Sequence, residues 1–186
     1  MGQLISLKKD RSTVASSNKN IIKKAVKCDK DAISTLIDEY KEYLYKTAFL
    51  YVKNEHEAIE ICQETVYKAI INIHKLREVK YFKTWITRIL INNINDMNRS
   101  KSKFVDNFEQ IELIEDITYE NLEEKIDLYN AIDILDEKFK TPIILQYFHD
   151  MTIKEIAEIL ESNENTIKTY IRRGKERLYK ILKEGN

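Results

Sequence analysis

Seven basic residues crowd the stretch from Asn165 to Lys183 (Lys168, Arg172, Arg173, Lys175, Arg177, Lys180 and Lys183), against a single acid, Glu176. Cations at this density hold phosphates, and arginine and threonine side chains reach base edges. Ile167, Ile171, Leu178 and Leu182 in the same stretch recur at helical spacing. At about 100° per residue, Thr169, Arg172, Arg173 and Lys180 point away from that apolar stripe. Just before it, Ile153, Ile156, Ala157 and Leu160 fall at i, i+3, i+4 and i+7 and predict a short helix. The polar break Glu161-Ser162-Asn163-Glu164 separates the two, and Asn163 suits the N-cap of the second. Short helix, tight break and basic helix are the layout of a helix-turn-helix that offers its second helix to a DNA major groove. A plain helical hairpin with a solvated lysine-rich face has the same outline. Two stripes, a short break and one-sided charge coincide here, which favours DNA.

A second constellation lies between Lys80 and Arg99. On a helix from Thr84 to about Lys101, Ile86, Ile89, Leu90 and Met97 share one side, with Ile94 also read as apolar. Trp85, Arg88, Asn92, Asn95, Asp96 and Arg99 gather roughly 180° to 280° away from Ile86. The preceding loop adds Lys80, Tyr81, Phe82 and Lys83. Interleaved aromatics and cations suit unpaired bases, because aromatic faces stack on them while cations hold the phosphates. Phe82 falls on the apolar side and is expected in the core; Trp85 either stacks on a base or packs at the bundle edge.

The elements that must position these residues are helical. Three glycines and one proline in 186 residues, with 43% apolar residues, leave too few turn formers for an all-β fold. The expected class is all-α: two small helical bundles joined by an acidic flexible linker, the second ending in the helix-turn-helix. Residues 1–19 are polar and read as a mobile arm. Residues 20–102 form the first bundle, with a short helix around Ile21–Val26 and a long one marked by Ala32, Leu36, Tyr40, Leu44 and Ala48. Beyond a break at Asn54, Cys62, Val66, Ala69, Ile70 and Ile73 mark a third helix, which leads through the 76–83 loop to the Trp85 helix. Residues 103–124 form the linker, and 104–124 carry eight acids and no base. Residues 125–186 form the second bundle, with Leu128, Ile132 and Leu135 on one stripe and Ile143, Ile144, Tyr147 and Phe148 on another. Pro142 is expected in the first turn of its helix.

Net charge is zero but unevenly spread: residues 1–28 carry +6, 59–103 carry +5 and 104–124 carry −8. Separate cationic blocks point to two binding surfaces. Cys28 and Cys62 are isolated thiols, expected in the core of a cytoplasmic protein. His56, His74 and His149 make no ligand spacing, so neither a metal nor another cofactor is expected. Carboxylates lie on open faces beside lysines, an environment that does not raise a carboxyl pKa for acid–base work, and no catalytic group is expected. No run of 18 apolar residues spans a bilayer, and the first 20 residues lack the apolar segment of a secretory signal.

Three stretches resemble one family. EAIEICQETVYKA (57–69) is similar to the D-A-x-D-x-x-Q-E-x-F signature of bacterial extracytoplasmic-function sigma factors. FKTWITRILINNINDMNR (82–99) resembles their F-x-x-W-L-x-x-I-x-x-N-x-x-x-D-x-x-R, with Phe82, Trp85, Asn92, Asp96 and Arg99 in place. TIKEIAEILESNENTIKTYIRRGKERL (152–178) resembles their S-x-x-E-I-A-x-x-L-G-x-S-x-x-T-V-K-S-R-L-x-R-A-R-x-x-L. The resemblance implies a dissociable, non-enzymatic subunit of core RNA polymerase that selects promoters, with 20–102 as sigma region 2 and 125–186 as sigma region 4. It implies that Thr166, Lys168, Thr169, Arg172, Arg173 and Lys175 meet the upstream (minus thirty-five) element as duplex. Lys80, Tyr81, Lys83, Trp85, Arg88, Asn92 and Arg99 would then line the path of the melted downstream (minus ten) strand. Glu57, Glu60, Gln63, Glu64 and Tyr67 would dock on polymerase. An anti-sigma factor is the further partner implied, and no small-molecule substrate is.

The sequence departs from that pattern in the first motif, where Ile59 and Val66 stand in place of common charged and aromatic residues, and at four positions of the third. Glu161 replaces the turn glycine, Ser162 an apolar turn residue, Tyr170 an arginine, and Gly174 an alanine. A free-standing helix-turn-helix regulator with a helical sensor domain is the alternative, and it predicts tight duplex binding by the isolated chain. A pure protein adaptor would leave both basic faces idle.

Overall fold

The computed structural model describes residues 14–104 and 122–184, with side chains described over 19–100 and 128–183. Residues 105–121, most of the acidic stretch, and the first 13 residues lie outside the described residues. Every described element is helical. Two compact units emerge, residues 1–94 and 95–186, the division falling within one long helix.

The first unit contains α1 (Val14–Val26), α2 (Lys30–Val52), α3 (Glu55–Asn72) and α4 (Phe82–Phe104). Two short 3-10 turns, Ile73–Lys75 and Val79–Tyr81, carry the chain from α3 to α4. α1 begins at Val14, inside the stretch expected to be an arm. The four-helix reading holds, and local chemistry explains the corners. Asp29 serves two helices: its N–H reaches back to the Lys24 carbonyl (3.2 Å), and its carboxylate accepts from Ala32 N–H (2.9 Å). Cys28, between them, takes the left-handed φ of 63° that this closure demands. It is exposed, which corrects the expectation of a core thiol; Cys62 is half-buried. Asn54 breaks the chain as expected, and its side chain caps α3 by accepting from Glu57 N–H at 3.0 Å.

The core of this unit gathers Leu36, Leu44 and Ala48 from α2, Ala58, Ile61 and Thr65 from α3, and Ile86, Leu90, Ile91 and Ile94 from α4. Of the expected third-helix stripe, Ala69 and Ile73 are buried, but on α3 the buried line runs Ala58–Ile61–Thr65–Ala69, a step round from Cys62, Val66 and Ile70, and Ile70 is 41% exposed. Thr65 is tolerated inside because its hydroxyl donates to the Ile61 carbonyl at 2.7 Å.

In the second unit, α5 (Leu122–Asp133) is followed by α6 (Glu137–Ile143), which widens into a π turn over Ile144–Phe148. α7 (Ile153–Ile159) and α8 (Glu164–Glu184) complete it. Pro142 sits near the end of α6 rather than in its first turn. A proline there has no N–H to donate and its ring crowds the carbonyl four residues back, and the helix widens directly after it. Ile143 and Ile144 are buried as expected, but Leu145 is buried as well and Tyr147 is 53% exposed, against the expected stripe. Thr152 and Glu155 form a capping box at the start of α7.

Candidate nucleic-acid and docking interfaces

α7 and α8 meet at the expected helix-turn-helix. The two helices are in contact, α7 burying Ile156, Ala157 and Ile159 and α8 burying Ile167, Ile171 and Leu178. Ser162 N–H closes onto the Ala157 carbonyl at 3.0 Å, and Asn163 caps α8 by accepting from Thr166 N–H at 2.8 Å. Glu161, between them, adopts φ 50°, the left-handed conformation that glycine takes at least cost. Gly174 is buried, and a Cβ there would stand 2.5 Å from Ile143 Cδ1 and 3.3 Å from Phe139 Cβ. Close approach of α6 and α8 therefore requires the glycine that looked like a helix-weakening departure. Tyr170 is turned inward, its ring edge-on to Phe139 at 5.7 Å, and serves the same seam.

That packing leaves Lys168, Arg172, Arg173 and Lys175 exposed, with Thr166 and Thr169 half-buried. Arg172 pairs with Glu176 at 2.6 Å, and the Lys175 ammonium lies 5.8 Å from the centre of the Tyr147 ring. Lys168, Arg172 and Lys175 also border a shallow groove with Ile153 of α7. Glu176 and Tyr147 are residues the sequence reading missed as parts of this surface. Glu176, at i+4 from Arg172, was legible as a helix ion pair; Tyr147 was not, because a regular helical period does not show the π turn that exposes it.

On α4, Phe82 is buried as expected, and Trp85 is half-buried with its ring tilted on Phe82 at 5.9 Å. Arg88 is half-buried and Asn92 exposed; Arg99, further along the helix, is exposed and 3.9 Å from Asp96. Lys83 is exposed, its ammonium 5.4 Å from the ring centre of Tyr43 on α2. Tyr43 shares a 2.6 Å hydrogen bond with Thr87, so α2 contributes an aromatic that the linear pattern assigned to no site. Lys80 pairs with Glu78 at 2.8 Å and lies over Tyr81 at 4.6 Å. The Glu78 hydrogen bond, with a smaller contribution from Tyr81, raises the Lys80 ammonium above the ordinary lysine value.

On α3, Glu60, Gln63, Glu64 and Tyr67 are exposed and Glu57 is half-buried. Ile71, 48% exposed, continues the Glu60–Glu64–Tyr67 stripe by one turn and was missed; spacing alone would have found it. Glu64 pairs with Lys68 at 3.2 Å, whose ammonium also donates to Asn93 at 2.6 Å. Asn93 is buried and donates in turn to Thr65 at 2.9 Å, a polar clasp between α3 and α4.

Residues 36–104 match the family model for Sigma-70 region 2, and residues 125–178 match that for Sigma-70 region 4. The RNA polymerase sigma factor SigV of Bacillus subtilis (strain 168) is 35% identical over 161 residues, covering 83% of this chain and 89% of that one. The chain belongs to the extracytoplasmic-function sigma factors. The ECF RNA polymerase sigma factor SigW of the same organism is 31% identical to this sigma factor over 182 residues, covering 89% and 97% of the two chains. Among solved structures, CnrH in complex with the cytosolic domain of CnrY superposes with a TM-score of 0.72 at 17% identity, covering 91% of this sigma factor and 99% of that chain. RpoE in complex with the anti-sigma factor NepR, from Bartonella quintana, gives 0.71 at 22% identity, covering 81% and 96%. At those identities the structures establish a shared fold. The two matched regions contain the cationic faces of α4 and α8, and the acidic face of α3 lies in region 2.

Proposed function

We propose that this sigma factor works by dividing promoter recognition between its two units while bound to core RNA polymerase. α8 enters the major groove of the upstream element, Thr166, Thr169 and Arg172 toward the bases and Lys168, Arg173 and Lys175 toward phosphates. The α4 face and the loop before it take the downstream element after strand separation. Trp85 offers its exposed edge to an unstacked base, Lys80, Tyr81 and Lys83 hold the adjoining strand, and Arg88, Asn92 and Arg99 continue its path. Stacking is worth about 1–3 kcal/mol per base, which offsets unpairing without any hydrolysis. Glu57, Glu60, Gln63, Glu64 and Tyr67 dock on the polymerase. Joining two weak sites to one enzyme raises the effective concentration of each, so neither unit needs to bind tightly alone.

The observation that carries this reading is the pairing of one duplex-shaped cationic helix with one aromatic-lined cationic face, each within its own family region. An anti-sigma factor is the regulatory partner this reading adds, as RpoE of Bartonella quintana has in NepR. The working compartment is the cytoplasm, where polymerase and promoter DNA meet. No helix among the described residues is long and apolar enough to cross a membrane. The test is transcription by purified core polymerase with and without the chain, with mapping of RNA start sites across the host genome. New, defined starts that depend on the chain are expected. Tight duplex binding by the isolated chain with no new starts would instead favour a free-standing regulator.

A further inference from the structure

The strongest charged patch outside the three faces above is on α1. Lys19, Lys23, Lys24 and Lys27 are all exposed, and none has an ion-pair partner among the described residues. At about 100° per residue they fan over one side, opposite the buried Ile22 and Ala25. Cations in a last helical turn are favoured by the helix dipole, which accounts for Lys23 and Lys24. Lys19, in the middle of the helix, is not accounted for that way. The nearest acid in sequence, Asp29, is already engaged as the cap of α2 at 2.9 Å.

Placement gives the patch its meaning. α1 packs against the 3-10 turn Val79–Tyr81, which carries Lys80 and Tyr81. A polyanion held at that turn therefore meets, on the adjoining helix, a second set of exposed cations. We propose that the lysine face of α1 binds the phosphate backbone of promoter DNA adjoining the melted segment, extending the nucleic-acid path of region 2 by about two helical turns of lysines. The proposal rests on the sigma-factor reading of Lys80–Lys83. The contact is to phosphates alone, so it adds affinity without sequence preference and is strongly salt-dependent.

The experiment uses the full chain with core polymerase and compares wild type with the K19Q/K23Q/K24Q/K27Q variant. Open-complex formation is followed against potassium chloride, with K41Q/K46Q as a control for lost charge, since Lys41 and Lys46 already pair with Asp38 and Glu42. Each lost phosphate contact lowers the log–log salt slope by about 0.7–0.9, so a fall of about 3 to 3.5 is expected for the fourfold variant and little change for the control. The loss should vanish on templates trimmed at the edge of the melted segment. An unchanged slope in an active holoenzyme overturns this proposal alone. Failure of the wild-type holoenzyme to open any promoter overturns the parent reading and this one with it. Unchanged promoter opening, with binding to phosphatidylglycerol vesicles lost in the fourfold variant, overturns it in favour of a membrane surface.

Discussion

Glu161 shows how a single departure is absorbed. Its φ of 50° places a side-chain-bearing residue where the turn needs a left-handed backbone, a strain of about 1–2 kcal/mol that glycine avoids. Glu161→Gly should raise the stability of the second unit by about 1 kcal/mol, read as a higher midpoint in thermal unfolding, while leaving promoter preference unchanged. Arg172 poses the opposite problem. Its guanidinium is engaged by Glu176 at 2.6 Å, so binding DNA exchanges one partner for another. That exposed pair is weak, because water and salt screen it. Arg172→Ala should cost about 1–3 kcal/mol at one base pair of the upstream element, measured by selection from a randomised upstream library. An unchanged preference would remove Arg172 from base readout.

At the scale of elements, the seam between α6 and α8 sets the angle at which the basic helix is presented. Gly174 lets the helices approach, and Tyr170 and Arg177 both lie against Phe139, at 5.7 Å and 4.5 Å. Gly174→Ala gains helix propensity, but its methyl meets Ile143, which is itself buried. Overpacking should win, lowering stability by about 1 kcal/mol, and Ile143→Val in the same chain should recover part of it, as a double-mutant thermal cycle would show. On α4, packing on Phe82 leaves Trp85 half-buried, oriented but still accessible. Trp85→Ala should reduce permanganate-reactive thymines in the opened region while leaving upstream duplex contacts intact in footprints. Equal loss of both would point to a collapsed unit rather than a lost stacking platform.

Among the described residues of the whole molecule, the two groups whose pKa burial pushes up both lie in the first unit. Burial pushes the Cys62 thiol from 9.0 up to about 11. Burial, with a smaller push from Glu39, raises the Tyr40 phenol from 10.0 to about 12. Both groups hold protons in the folded state that the unfolded chain releases, so stability falls as pH rises from about 9 through 12. The first unit should therefore lose stability in alkali, and Cys62→Ala should remove the part of that loss between pH 9 and 11, measured by denaturant unfolding across the range. Exposed Cys28 should react with iodoacetamide well before Cys62 at pH 8.

Helical periodicity and local residue chemistry in the sequence were enough to place the main helices, the break at Asn54, the Asn163 cap and the basic surface of α8, because those depend on residues within a turn of one another. Three motifs in order were enough to suggest the family. Tertiary packing decided the rest. The burial of Thr65, Thr87 and Asn93 depends on hydrogen-bond partners that include residues up to 44 positions away, which no local period encodes. Tyr43 beneath Lys83 and Lys68 on Asn93 arise the same way. Gly174 is the clearest case: read along the chain it weakens a helix, and only the approach of α6 shows that the missing Cβ is what lets two helices meet.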